Sequence, residues 1–161
     1  MILDKKELQR LVRYCPESGK LYWQASNHPK QIVGKEIGSI NDIGYHVLSV
    51  HKNVLLAHRL IWFLYYGEWP TGVIDHINLI RSDNRISNLR DTTRRVNQEN
   101  RIAAQSNSST KLLGAFTYGN RFRSQIKACG KLYHLGVFNT SEEAHAAYIK
   151  AKRQLHEGNT L

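Results

Sequence analysis

Apolar positions near the start of the chain follow first a helical and then a strand-like spacing. Asp4 can cap a short helix, and the residues after it form an apolar helical stripe of Leu8, Leu11 and Val12. The fragment Gly19–Trp23 then has the composition of a strand. Residues 1–42 are therefore predicted to form a helix and strand extension that packs on the domain following it.

The next apolar stretches predict a hairpin and a buried helix. Tyr45–Val50 and Val54–His58 read as strands joined by a short polar turn. Arg59–Tyr66 is apolar on nearly every face and is followed by Gly67, which suits a short buried helix with a glycine cap. A helix directly after a hairpin favours a small mixed domain, whose bounds we set at residues 43–101.

Polar residues dominate the second part of this domain. Val73–His76 is a short strand, and residues 81–90 are polar enough to predict a loop with local hydrogen bonds. Thr92 or Thr93 can cap a helix that runs to about Arg101. Residues 102–110 are mostly small and polar, a composition typical of a flexible linker.

Residues 111–161 have a different pattern, with three strands followed by one helix. The strands are expected at Leu112–Thr117, Arg121–Lys127 and Lys131–Phe138. Thr140 and Glu143 form a capping box before an apolar helical stripe. The whole chain is thus predicted to be α+β, with a small three-stranded antiparallel sheet and one helix in its second domain.

Composition narrows the class of partner. The 161 residues contain 23 Lys and Arg against 13 Asp and Glu, a net charge of +10, which favours a polyanionic partner, either nucleic acid or an acidic membrane surface. The two cysteines, Cys15 and Cys129, are far apart, so we expect neither a disulfide framework nor structural zinc. No signal or membrane-spanning segment is evident, and we expect a soluble intracellular protein without a membrane partner.

The most informative polar residues are Asp75 and His76, followed by Asn88 and Asn97. Histidine suits a general base for water, and carboxylate and amide oxygens suit Mg²⁺ or Mn²⁺. Neighbouring residues of a strand point to opposite faces, so a bend or bulge is needed to bring Asp75 and His76 to one phosphate. A continuous helix cannot place both asparagines on one face. We therefore expect Asn88 in a loop, hydrogen-bonded to His76, and Asn97 on a helix.

Longer stretches around these residues resemble the HNH homing endonucleases of phages and introns: Leu56–Trp62, Gly67–Pro70, Asp75–Asn78, Asp83–Arg90 and Asn97–Asn100. The resemblance implies a ββα-metal nuclease fold. It also implies that His76 is the general base, that Asp75 and Asn97 hold one divalent metal, and that Asn88 orients the base. The chain has asparagine at the last position, where many HNH enzymes have histidine. The resemblance includes His58 and Arg59, whose roles stay open between packing and phosphate contact.

The second domain carries its own DNA-binding pattern. Alternation in the strand puts Arg121, Arg123, Gln125 and Lys127 on one face, where they suit contacts with bases and phosphates. Residues 111–158 resemble an AP2 domain, through Leu113–Phe116, the Arg121–Lys127 strand, His134–Phe138 and Thr140–Ala144. This resemblance implies a sheet that lies in the major groove. It also puts His134 and Phe122 at positions where the family often has tryptophan.

Together these features predict a metal-dependent endonuclease that cuts double-stranded DNA at a target read by the AP2-like sheet. One active site would nick one strand, and a double-strand break would need a second copy or a second visit by the same copy. No obligate protein partner is implied. Two alternatives stay open: a catalytically inactive DNA-binding regulator, and an RNA-binding protein, which the missing row of stacking aromatics disfavours.

Overall fold

The computed structural model describes residues 5–26 and 28–159, and it is a mixed α+β structure, in agreement with the predicted class. The chain divides into two compact units, the first ending at Thr93 and the second beginning at Arg94. Asp4, the expected cap of the first helix, lies outside the described residues. Among the described helices, none is long and apolar enough to span a membrane.

The first unit opens with α1 (Lys5–Leu11), β1 (Val12–Cys15) and β2 (Lys20–Trp23). The two strands pair in antiparallel register, with Val12 opposite Trp23. Leu8, Leu11 and Val12 are buried, although Val12 lies in β1 and not in the helix. The predicted apolar stripe is therefore correct as a buried surface, but the helix ends before its last member.

A second sheet contains β3 (Ser39–Ile40), β4 (His46–Val50) and β5 (Asn53–Leu56), in that spatial order. The turn between β4 and β5 uses left-handed backbone at His51 and Lys52, with φ of 49° and 65°. Helix α2 (Ala57–Tyr66) follows directly and ends at Gly67, whose N–H donates to the carbonyl of Phe63. The predicted hairpin and glycine-capped helix are confirmed, but the helix begins inside the stretch expected to be a strand.

The last two strands of the first unit are β6 (Val73–His76) and β7 (Leu89–Thr92), which pair with each other in antiparallel register. A short 3₁₀ turn at Ile86–Asn88 precedes β7. The sequence predicted β6 but treated the residues of β7 as loop and helix cap. One apolar core supports all these elements, and Leu11, Leu21, Val50, Leu60 and Phe63 are among its fully buried members.

The second unit begins with α3 (Arg94–Glu99) and contains an antiparallel sheet of β8 (Ala115–Tyr118), β9 (Arg121–Ala128) and β10 (Lys131–Phe138). Strand β9 is central, and a bulge interrupts its pairing with β10 between His134 and Gly136. Helix α4 (Ser141–Leu155) packs against all three strands and starts with the predicted capping box of Thr140 and Glu143.

The segment between α3 and β8, where a linker was predicted, contains no helix or strand and belongs to the second unit. Thr110 Oγ1 donates to the carbonyl of Ala115 at 2.8 Å. The buried ammonium of Lys152, on α4, donates to the carbonyl of Arg101. Arg95, on α3, reaches Glu99 at 2.8 Å and Glu157 at 2.7 Å. Helix α3 is therefore tied to the end of α4 by charged side chains.

Gly114 leads into β8 where the backbone passes close to α4, and we predict that alanine is not tolerated there. Its φ is +77°, and an added Cβ would lie 2.0 Å from the ring of Tyr148. Gly119 also has positive φ, +57°, but has open space around it. Gly114→Ala is expected to destabilise the second unit by roughly 2–4 kcal/mol, and Gly119→Ala by about 1 kcal/mol. Chemical unfolding followed by circular dichroism measures both, and equal losses would contradict the steric argument.

Candidate active site

Strand β6 carries Asp75 and His76 into the interior of the first unit. Both residues are 4% exposed. The ladder pairs Asp75 with Arg90 and His76 with Leu89, with no register shift. Of the bend or bulge expected at the strand end, the paired residues contain no bulge, and the two side chains leave the ribbon on opposite faces, as in any regular strand. A phosphate that contacts both residues has to lie beyond the end of this strand.

Asp75 has a cationic partner on the neighbouring strand. Arg90 Nε donates to Asp75 Oδ2 at 2.8 Å, and Arg90 Nη2 lies 2.7 Å from the same oxygen. A buried carboxylate is costly unless it is paired and hydrogen-bonded, and Arg90 supplies both the opposite charge and the hydrogen bond. The sequence reasoning missed this residue because it did not recognise β7, which places Arg90 opposite Asp75.

His76 is surrounded by rings and by one amide. The His58 ring lies at 83° to it with centroids 5.2 Å apart, and the centroid of Tyr45 lies 6.0 Å away. His76 Nε2 is 3.1 Å from Oδ1 of Asn84, which is itself almost fully buried. When Asn84 accepts this bond, Nε2 carries the proton of the neutral ring and Nδ1 carries the lone pair.

The hydrogen bond to His76 had been expected from Asn88, and the structure corrects this. Asn88 Oδ1 accepts from the backbone N–H of Asn78 at 2.9 Å, and Asn88 Nδ2 donates to the carbonyl of Asp83 at 2.8 Å. Asn88 thus braces the two ends of the site loop, as we call residues 77–88. It positions His76 only indirectly, because the loop that it closes carries Asn84.

Burial governs the protonation of the two imidazoles. It lowers the pKa of His76, while the hydrogen bond to Asn84 and the charge of Asp75 act in the opposite direction. The pKa of His58 falls to about 4, first through burial and then through the nearby His76 and Arg59. Both rings are therefore neutral at neutral pH, and a neutral His76 has a lone pair that can accept a proton.

Residues around the imidazoles extend the site beyond the sequence prediction. The guanidinium of Arg81 lies 5.2 Å from the Tyr45 ring centroid, and its Nη1 donates to the carbonyl of Ile43 at 2.6 Å. Arg59 donates to the carbonyls of Gly72 and Pro70, so it braces the segment before β6. Its partners assign Arg59 a structural role. Only the local pattern around Asp83–Arg90 could have pointed to Asn84 in advance.

Asn97 lies on α3, in the second unit, whereas Asp75 lies in the first. Their joint role as metal ligands therefore stays a prediction. The chemistry of the two side chains fits a hard divalent ion, since each offers an oxygen and neither offers sulfur. Within residues 5–26 and 28–159, no group of three or more histidine, cysteine, aspartate or glutamate side chains could hold a metal. An ion here would need the asparagine, water or substrate oxygens as well.

The sheet of the second unit shows the predicted alternation. Ser124, Ile126 and Ala128 are buried under α4, whereas Arg121 and Lys127 are exposed. We call the opposite side the outer face. It carries Phe116, Tyr118, Arg121, Arg123, Gln125, Lys127 and His134. Phe122 instead pairs with Thr117 and Phe138 on the side of α4, so it does not belong to the outer face.

Aromatic side chains on the outer face hold its central arginine. Phe116 pairs directly with Arg123, and the Arg123 guanidinium lies 5.7 Å from the Tyr118 ring centroid. Gln125 pairs with His134 across the sheet. Arg121 Nη2 donates to the carbonyl of Val137 at 3.2 Å. The sequence assigned the basic residues to this face but missed Phe116 and Tyr118, which lie on the edge strand β8.

Comparison with known families supports a nuclease in the region that contains the site. Residues 55–99 match a family model described as HNH endonuclease. All four predicted site residues lie within the matched stretch: Asp75, His76, Asn88 and Asn97. The match supports an HNH nuclease that acts on DNA. Searches among curated proteins and among solved structures gave no match.

The Asp83 carboxylate accepts hydrogen bonds that stabilise the site loop, and we predict that this stabilisation is lost in acid. Arg85 donates to both of its carboxylate oxygens, and Asn78 Nδ2 donates at 2.7 Å. These bonds, that from Arg85 first, lower the pKa of Asp83 to about 2. Because the folded pKa is depressed, the stabilisation is present above about pH 4, the unfolded value, and is lost as the pH falls towards 2.

Asp83→Asn should therefore cost about 1 kcal/mol at neutral pH, a figure reduced because the Arg85 side chain is half exposed. The gap between variant and wild type should close as the pH is lowered. Urea unfolding at several pH values measures it, with exposed Asp42→Asn as the control. A gap that is the same at every pH would contradict the assignment.

Proposed function

We propose that this protein is a metal-dependent endonuclease of the homing type that hydrolyses phosphodiester bonds in double-stranded DNA. The observation that carries the proposal is the buried His76, held by Asn84 and next to Asp75, in the stretch that matches HNH endonucleases. A net charge of +10 agrees with a polyanionic substrate.

His76 is the proposed general base. Its neutral imidazole accepts a proton from water, whose oxygen then bonds to phosphorus as the bond from phosphorus to the 3′ oxygen breaks. The products are 5′-phosphate and 3′-hydroxyl ends. Asn84 fixes the ring by accepting from Nε2. In this tautomer Nδ1 is the basic nitrogen of the proposed general base. Asn88 contributes through the backbone of the site loop.

Asp75 and Asn97 are the proposed ligands of one divalent ion, Mg²⁺ or Mn²⁺. Such an ion would offset the negative charge that develops on the phosphoryl oxygens and on the leaving 3′ oxygen. Asp75 is suited to this task because its carboxylate offers hard oxygen ligands. We propose no structural zinc, since both proposed ligands offer oxygen.

We propose that the second unit is an AP2-like module that reads the DNA target. Its outer face offers arginine and glutamine for base edges and lysine for phosphates: Arg121, Arg123, Gln125, Lys127 and His134. Separate modules for reading and for cutting let a small site act on a long target. Each chain has one such site, so one copy nicks a strand and a second copy completes a double-strand break.

The proposal is tested with supercoiled plasmid. Wild-type protein should convert it to the nicked form with Mg²⁺ or Mn²⁺, and EDTA should stop the reaction. His76→Ala should reduce cleavage by at least about a thousandfold, because His76 is the proposed acceptor of the proton from water. Its affinity for DNA in a mobility-shift assay should stay within about twofold of wild type, since the buried ring is not proposed to carry binding.

His145→Ala is the matched control, because this histidine lies on α4, far along the chain from the proposed chemistry. It should cut as the wild type does. Plasmid bound tightly but left intact with either ion would favour the inactive DNA-binding regulator instead. Loss of binding in His76→Ala equal to its loss of cleavage would remove the role given to His76.

The outer face makes a separate prediction about specificity. Arg123 lies at the centre of the face and is held by aromatic rings, so Arg123→Ala should relax the preference at one base position, by about 1–3 kcal/mol. Lys127→Ala should weaken binding to all sequences alike and reduce the salt slope by about one. Selection from a randomised duplex pool measures both, with exposed Lys150→Ala on α4 as the control. An unchanged preference in Arg123→Ala would contradict base reading.

A further inference from the structure

Arg90 has a position that the proposed reaction does not yet use. It lies opposite Asp75 in the β6–β7 ladder, so the two side chains share one face of the ribbon. Arg90 Nε and Nη2 both approach the same oxygen of Asp75, at 2.8 and 2.7 Å. The Asp75 side chain is 5% exposed and that of Arg90 27% exposed, so the guanidinium connects the carboxylate with the surface.

A divalent ion on Asp75 would therefore meet a cation already bound to that carboxylate. The single negative charge of Asp75 cannot neutralise both, and their mutual repulsion opposes binding of the ion. A phosphodiester supplies another negative charge and oxygens that match the planar donors of arginine. With DNA present, a phosphate oxygen is available to Arg90 as an acceptor and to the ion as a ligand.

We propose that Arg90 makes binding of the ion depend on DNA. In the free protein its guanidinium competes with the ion for Asp75; on DNA it contacts the phosphate that the ion also contacts. This inference rests on the proposed function, because it takes Asp75 as a ligand of the ion. Coupling between two ligands is reciprocal, so the ion and DNA strengthen each other's binding by one factor.

The first test measures Mn²⁺ binding to protein without DNA, from the electron paramagnetic resonance signal of the unbound ion. Arg90→Gln should bind Mn²⁺ about tenfold more tightly than wild type, because the competing cation is gone. Arg10→Gln removes the same charge from an exposed position of α1 and should bind as the wild type does. Arg90→Gln binding no more tightly than wild type would overturn the proposal.

A second measurement covers the case in which Arg90→Gln does not fold. His76→Ala is titrated with Mn²⁺ with and without a random-sequence duplex, and the ion bound by the duplex alone is subtracted. The duplex should tighten binding about tenfold, and in folded His76→Ala/Arg90→Gln the duplex should have little effect. Equal affinity with and without duplex in His76→Ala would overturn the proposal.

The outcomes also separate this inference from the proposed function. Wild-type protein that nicks plasmid with Mn²⁺, together with an Arg90→Gln variant of unchanged ion affinity, would remove the role of Arg90 alone. Absence of both nicking and Mn²⁺ binding in every form, with or without duplex, would remove both proposals.

Discussion

The regular pairing of β6 with β7 constrains everything around the site. It sends the carboxylate of Asp75 towards Arg90 and the ring of His76 towards the buried side that holds Leu89. An acid and an imidazole that are adjacent in sequence thereby enter two different environments, one with a cation and one with rings and an amide. The strand itself separates the two environments, and burial on the side of the rings lowers the pKa of His76.

The site loop is held in its conformation mainly by hydrogen bonds between side chains and backbone. Its chain reverses through bonds from side chains to backbone, such as those of Asn78 and Asn88. Tyr14, from β1, adds two long-range hydrogen bonds within the chain. Its hydroxyl donates to the carbonyl of Asn84 and accepts from the N–H of Ile86. Burial raises the pKa of Tyr14 to about 12, so its hydroxyl stays a donor across the physiological range. Tyr14 thus holds the backbone that carries the Asn84 side chain, at Asn84 itself and at Ile86.

Much of the fold followed from local pattern, because capping residues and strand alternation act over a few positions. The capping box of α4 and the alternation in β9 are examples. Strand β7 escaped prediction because Leu89–Thr92 has one buried apolar residue and three polar ones. The site loop contains several amides, and sequence alone cannot tell which of them faces His76. That choice depends on how the loop folds over β1, a contact between residues about seventy positions apart in the chain.

The aromatic residues of the outer face are a second example of what local sequence pattern does not predict. Phe116 and Tyr118 lie on the edge strand β8 and are exposed. The alternation of apolar and polar residues in that strand does not by itself tell which face is exposed. Once β8 is paired with β9, Phe116 lies opposite Arg123 and the Tyr118 ring lies 5.7 Å from its guanidinium. A restrained arginine loses less entropy when it meets a base, which favours discrimination over mere affinity. In the proposed reading of DNA, the phosphate attraction of a chain with net charge +10 gives affinity for any sequence, and we expect selectivity to come from side chains such as Arg123.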